Sequence, residues 1–401
     1  MHYSRRSFIK ASAFASTAFL IPEFLKASSF FSDKAYKGKR LVVVQLSGGN
    51  DGLNSIVPWR NDLYYQNRPS LGLSGNDLIR MNDDAAFNSH LEGLSNLYDD
   101  GHVAIINSVG YPNPNRSHFR SMDIWQSASD EEKYIQSGWI GRVLDSTCND
   151  CAMPYTALEI DDSLSLAMKG ERMKGLALRD VKKLKDSVDN NLIKSIADNN
   201  QHSAEENQTI AFLRKTFADT VHSADYLAQH QRMFSSRSVY PDHDFGRQMK
   251  LIAELIISGT ETMIYYVSLP GFDTHALQLG IQNRQLKVYA DTLKTFCHDL
   301  KSNDCFNDTI VLTFSEFGRR VAQNGSKGTD HGTANNVYII GGQLKNKGLI
   351  NPLADLQNLS EGDLIHKVDF RSVYATVIDN WLKMDSKAVL GGRQFDLLNF
   401  V

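Results

Sequence analysis

The sequence predicts an α/β fold of three layers, with a mostly parallel central sheet between two helical layers. Three observations predict it. Apolar, β-branched runs recur at residues 41–46, 102–108, 263–269, 309–314 and 337–340, each of strand length and bounded by turn residues. Helical patterns lie between them, the alternation that builds a parallel sheet covered on both faces. Polar groups follow the runs directly, where ligands bind in such sheets, beyond the carboxyl ends of the strands.

The composition is that of an ordinary globular protein. Of 401 residues, 42% are apolar and 22% charged, and the net charge is −3, so nothing points to a nucleic-acid partner. The chain opens with Ser4-Arg5-Arg6-Ser7-Phe8-Ile9-Lys10 and a short apolar stretch, residues 11–21. A charged segment before a short apolar one reads as an export signal. Its S-R-R-x-F-x-K pattern matches a twin-arginine signal, so the twin-arginine translocase is the expected partner during export. The apolar stretch is too short to span a bilayer, and no cysteine near it offers a lipid anchor. Residues 1–36 are therefore read as signal peptide and linker, with 37–401 as one α/β domain and a periplasmic or secreted product. In an oxidising compartment the four cysteines allow disulfides. Cys148 and Cys151 have the spacing of a loop disulfide, and Cys297 and Cys305 flank a helix end.

The first strand, ending at Leu46, runs into Ser47-Gly48-Gly49-Asn50-Asp51-Gly52. Its glycines permit a tight turn beside a ligand, and Asp51 stands at the strand's end. The second strand leads through Tyr111-Pro112-Asn113-Pro114-Asn115-Arg116-Ser117. The prolines forbid helix, and Asn115 or Ser117 caps the helix that follows. That puts Ser117 at a helix N-terminus, which favours an anion. Gly138–Arg142 begins another helix. From about 155 to 240 the pattern reads as helices and a variable cover without evident chemistry, apart from a short strand at 155–160. Residues 245–257 form an amphipathic helix. The strand at 263–269 ends in Pro270-Gly271-Phe272-Asp273-Thr274-His275, where Asp273 and His275 make a plausible metal pair. A return helix covers 277–300, and a late helix 370–382.

The stretch 308–342 organises the chain. A strand delivers Glu316 and Arg319, a glycine-rich loop ends in Thr329-Asp330-His331-Gly332, and another strand closes it. Carboxylates and imidazoles converging from several strand ends suit one or two divalent ions, zinc, manganese or magnesium. Such ions stabilise the entering and leaving oxygens of phosphoryl or sulfuryl transfer. A serine beside them is a candidate nucleophile, and Arg116 or Arg319 is placed to hold anionic oxygens.

Taken together, GGNDGLNSIVP, SHFRSMDIWQSA, GWIGR, GFDTH, LTFSEFGRR and GTDHGTANNVYIIGG resemble the DUF1501 family of exported bacterial proteins, over about residues 38–400. That family is similar to the alkaline phosphatase-like superfamily, with its sulfatases and cofactor-independent phosphoglycerate mutases. The resemblance implies an alkaline phosphatase-like fold, Ser117 as nucleophile, and metal ligands at Asp51, Asp273, His275, Glu316 and His331. Asp330, next to His331 in the sequence, is a further ligand or an orienting group for His331. Phe317 stands where the superfamily has a histidine, and Asp273 and His275 are closer than its usual pair. The expected function is exported, metal-dependent hydrolysis of phosphate or sulfate esters of small molecules or glycans. The alternatives are an exported binding or assembly protein with a degenerate metal site, and a metal-free serine hydrolase.

Overall fold

In the computed structural model, residues 38–147, 153–189 and 208–401 are described. The export segment and the Cys148–Cys151 pair lie outside them. Lys37–Val401 is one compact unit.

The sheet is built from β1 (Arg40–Leu46), β2 (Val103–Gly110), β3 (Ala157–Glu159), β4 (Leu176–Ala177), β5 (Ile264–Leu269), β6 (Thr309–Phe314), β7 (Asn335–Gly341), β8 (Gly348–Leu349) and β9 (Val368–Asp369). Their spatial order is β8-β2-β7-β6-β1-β5-β3-β4, with β9 also paired to β2. β1 lies parallel to β5 and to β6, and β3 is parallel to β5. β7 runs antiparallel to both its neighbours, β2 and β6. The expectation of a mostly parallel sheet therefore holds, with one reversed strand on the path.

Burial on both faces explains why the strands read as unbroken apolar runs. In β1, Val42 and Val44 enter one core while Leu41 and Val43 enter the other. The first core is closed by α1 (Glu92–Asp99), α4 (Asp244–Ile257) and α5 (Gln278–Ser302). The second is closed by α2 (His118–Ser127), α3 (Trp139–Thr147) and α6 (Phe370–Thr376). The late helix is shorter than its apolar pattern: α6 stops at Thr376 and passes into a π turn over Val377–Trp381. Cys297 and Cys305 are free thiols and form no bridge. Burial pushes the Cys297 thiol up to about 12, which makes it an inert core residue.

Candidate metal centre

Five stretches of chain, two of them in one long connection, bring polar groups to one edge of the sheet. The turn after β1 supplies Gly48 and Gly49, both at positive φ, +117° and +80°. The segment after β5 carries Asp273 and His275, the segment after β6 carries Glu316 and Arg319, and the loop before β7 carries His331. The fifth contribution is His118, the first residue of α2.

Three imidazoles face one carboxylate. His275 Nε2 is 3.0 Å from Asp273 Oδ1, His331 Nε2 is 3.2 Å from the same oxygen, and His118 Nε2 is 3.4 Å from Asp273 Oδ2. The Nε2 atoms of His275 and His331 are 2.9 Å apart. Each ring is oriented from behind through its Nδ1. His331 Nδ1 donates to the Arg116 carbonyl at 2.8 Å, which can only accept. His275 Nδ1 meets Asp330 Oδ1 at 3.2 Å, and His118 Nδ1 meets Glu316 Oε1 at 3.0 Å. With the proton held on Nδ1, a neutral ring turns its Nε2 lone pair inwards. Two or three such lone pairs then face the Asp273 carboxylate, whose Oδ1 also accepts from Arg319 Nη2 at 2.7 Å. A cation among these donors would relieve the crowding of lone pairs. Imidazoles backed by carboxylates and carbonyls are also how metal-binding histidines are held.

The electrostatics favour an ionised Asp273 and a neutral His331. Burial pushes the Asp273 carboxyl up, but Arg319, then His331 and His118, outweigh it and bring it down to about 2. Burial pulls His331 down from the ordinary histidine range, favouring the neutral ring a metal needs. The hydrogen bond that His118 donates to Glu316 raises His118, which favours its protonated form, so an ion there would have to displace that proton. His118, Asp273 and His331 place one ligand atom each within 4.8 Å of one another.

The residues singled out in the sequence fall into distinct places. Asp273, His275 and His331 meet. Glu316 is buried one bond further back, accepting from His118 and from the Gly48 N–H at 2.7 Å. Asp330 orients His275, not His331. Asp51 is not among the convergent groups. Its Oδ2 accepts from Arg68 Nη1 and from Gln278 Nε2, each at 2.5 Å, so a buried guanidinium already neutralises it. Arg319 is buried and spent on the carbonyls of Gly49, Thr329 and Phe272 and on Asp273 Oδ1, at 2.7 Å for the last. It positions Asp273 and is not free to clamp an anion. The Arg116 side chain turns to Asp363 and Glu361; only its carbonyl reaches the centre. Ser117 is the N-cap of α2, exposed, with no capping bond from its hydroxyl.

The sequence motifs point to Ser117 and not to His118, the residue after it. The available signal was that each of the three histidines follows a strand end or opens the next element. Phe317, where a histidine was expected by resemblance, is packed against the His118 and His331 rings at centroid distances of 4.9 and 4.6 Å. It walls the centre with an apolar face.

The family described as "Protein of unknown function (DUF1501)" matches residues 104–390. No curated protein matches the chain. Among solved structures, the chain is similar to the lipoteichoic acid synthase LtaP from Listeria monocytogenes, with 11% identity, 91% of this chain and 76% of that one covered, and a TM-score of 0.38. It is similar to the C-terminal periplasmic domain of EcEptC from Escherichia coli in complex with Zn, with 10% identity, 76% and 72% covered, and a TM-score of 0.35. It is also similar to the PsFucS1 sulfatase from Pseudoalteromonas sp., with 11% identity, 88% and 68% covered, and a TM-score of 0.36.

Proposed function

The chain belongs to the DUF1501 family, and for this member we propose metal-dependent hydrolysis of phosphate or sulfate esters outside the cytoplasm. The observation that carries the reading is the convergence of three imidazole Nε2 atoms on the Asp273 carboxylate, each ring held from behind through its Nδ1. His118, Asp273, His275 and His331 would hold one divalent ion. Nitrogen donors with one carboxylate suit zinc or manganese better than magnesium. When bound, the ion supplies Lewis acidity towards an anionic ester oxygen.

The chain's own groups divide the remaining work. Ser117 is the candidate nucleophile, since its hydroxyl is exposed and spared from capping. The first turn of α2 turns unpaired N–H groups towards the same edge, favouring an anionic ester there. Glu316, Asp330 and the Arg116 carbonyl hold the three rings, and Arg319 holds Asp273. Export rests on Arg5 and Arg6 before the short apolar stretch. No described helix is long and apolar enough to cross a membrane.

One observation favours a second reading, a binding or assembly protein with a reduced metal site. The Arg68–Asp51 pair occupies a carboxylate that a second ion would need. Elemental analysis of protein purified from the periplasm, followed by a panel of phosphate and sulfate esters, separates the two. The hydrolase reading expects a divalent ion that is lost in His331→Ala, and ester turnover that a chelator stops. Ser117→Ala should stop turnover and keep the ion. A metal-loaded protein that cleaves no ester in the panel favours the second reading, and metal-free active protein overturns both.

A further inference from the structure

A cavity of about 690 Å³ opens beyond the carboxyl ends of β1, β5 and β3, between α2 on one side and α4 and α5 on the other. It adjoins the metal centre through shared elements. Ser47, beside Gly48, lines it, as does Pro270, three residues before Asp273. α2 connects the two sites along one face. His118 belongs to the centre, while Met122 and Gln126, four and eight residues on, line the cavity. Residues four apart on a helix stand one above the other, about 6 Å along the axis. The centre and the cavity wall therefore follow one another along this helix, one turn apart.

One lining group lacks the partner its chemistry calls for. Glu159, at the end of β3, is only 4% exposed. Its Oε2 accepts the Ser165 N–H at 2.7 Å. The Ser165 side chain also stabilises the charged form, but among the described residues no arginine or lysine forms an ion pair with the carboxyl. The other carboxyls of the lining are compensated: Asp161 pairs with Arg179, and Asp244 with Arg247. Buried carboxylates are ordinarily paired. Burial, only partly offset by Ser165, pushes Glu159 up to about 7, as expected of an acid kept from a counter-ion. Around it stand groups suited to an alcohol. Gln45 accepts the Tyr266 hydroxyl through Oε1 and keeps its amide N–H groups for another acceptor, and Leu269 adds an apolar wall.

We propose that this cavity binds a small ammonium-bearing alcohol, with the ammonium paired to Glu159. Resting on the hydrolase reading, it is the organic part of the ester substrate, whose anionic group lies at the imidazole cluster. The substrate class is then a zwitterionic amino-alcohol or amino-sugar ester.

Binding is tested apart from turnover, with mature protein both metal-loaded and chelator-treated. The probes are glucosamine and ethanolamine, against glucose and ethylene glycol as uncharged matches. Thermal unfolding near pH 7.5, above the pH where Glu159 gives up its proton, should show a rise in Tm with at least one amine and none with its match, in both preparations. Glu159→Gln, which keeps the shape of the side chain, should abolish the rise. Met122→Trp, which fills the wall without touching the carboxyl, should abolish it as well. Equal responses to amine and match, a rise that survives in Glu159→Gln, or no response to either amine overturns the proposal. Failure of the hydrolase reading shows in the ester panel and leaves these shifts in place.

Discussion

At the scale of single residues, the centre depends on groups that would never touch an ion. Glu316 is buried, accepts the Gly48 N–H, and holds His118 by its Nδ1. Glu316→Ala should free that ring and lower metal affinity by about 10–100-fold, read by competition with a chelator; an unchanged affinity would mean that His118 needs no such support. Asp51 is the contrasting case. It is a buried ion-pair partner, so Asp51→Ala strands Arg68 without a counter-charge. The cost should be about 3–5 kcal/mol in urea unfolding, with metal content unaltered. Loss of metal at full stability would return Asp51 to the ligand set.

At the scale of elements, the site exists because the turn after β1 and the segment after β5 pass almost in contact. Gly48 has φ +117°, and a Cβ there would lie 2.4 Å from the Asp273 backbone nitrogen. Both the left-handed backbone and the backbone-to-backbone approach require glycine. Gly48→Ala must push the Asp273 segment outwards and disturb the N–H that Glu316 accepts. It should cost more than about 1 kcal/mol in stability and remove the metal together with any activity. A variant that folds with wild-type stability and full metal content would show that the turn tolerates displacement. α2 acts as a second positioning element: its start sets His118 and Ser117, and its next two turns wall the cavity.

At the scale of the whole molecule, one buried acid should make stability fall with pH. Glu159 is raised from its ordinary 4.5 to about 7 by burial, so the folded protein holds that proton more tightly than the unfolded chain. Its contribution is complete below pH 4.5 and is lost as pH rises towards 7, by roughly 3 kcal/mol at most. Histidines titrate in the same window, so the informative quantity is the difference between wild type and Glu159→Gln. Urea unfolding at pH 5 and pH 8, without amines, should give a steeper decline for wild type; parallel declines would mean that Glu159 is ionised without cost.

The sheet, its strand ends and the gathering of Asp273, His275, Glu316 and His331 near one edge were legible in the sequence. Strand period, β-branched runs and glycine turns are local properties, and a parallel sheet carries whatever follows its strands to one side. The short strand at 157–159 and the helix starting at His118 were legible for the same reason. Only the tertiary structure decided which atoms face one another. His118 and Glu316 are 198 residues apart, and His275 and His331 are 56 apart. Nothing local marks His118 over Ser117, or turns Asp330 to one histidine and not its neighbour. Asp51 looks like a ligand until Arg68 arrives from a helix end to neutralise it. Glu159 looks like an ordinary strand-end acid until β5, α2 and α4 close around it. Pairing and desolvation are set by groups distant in the chain, and these decide whether a carboxylate binds a cation, neutralises an arginine or waits for a ligand.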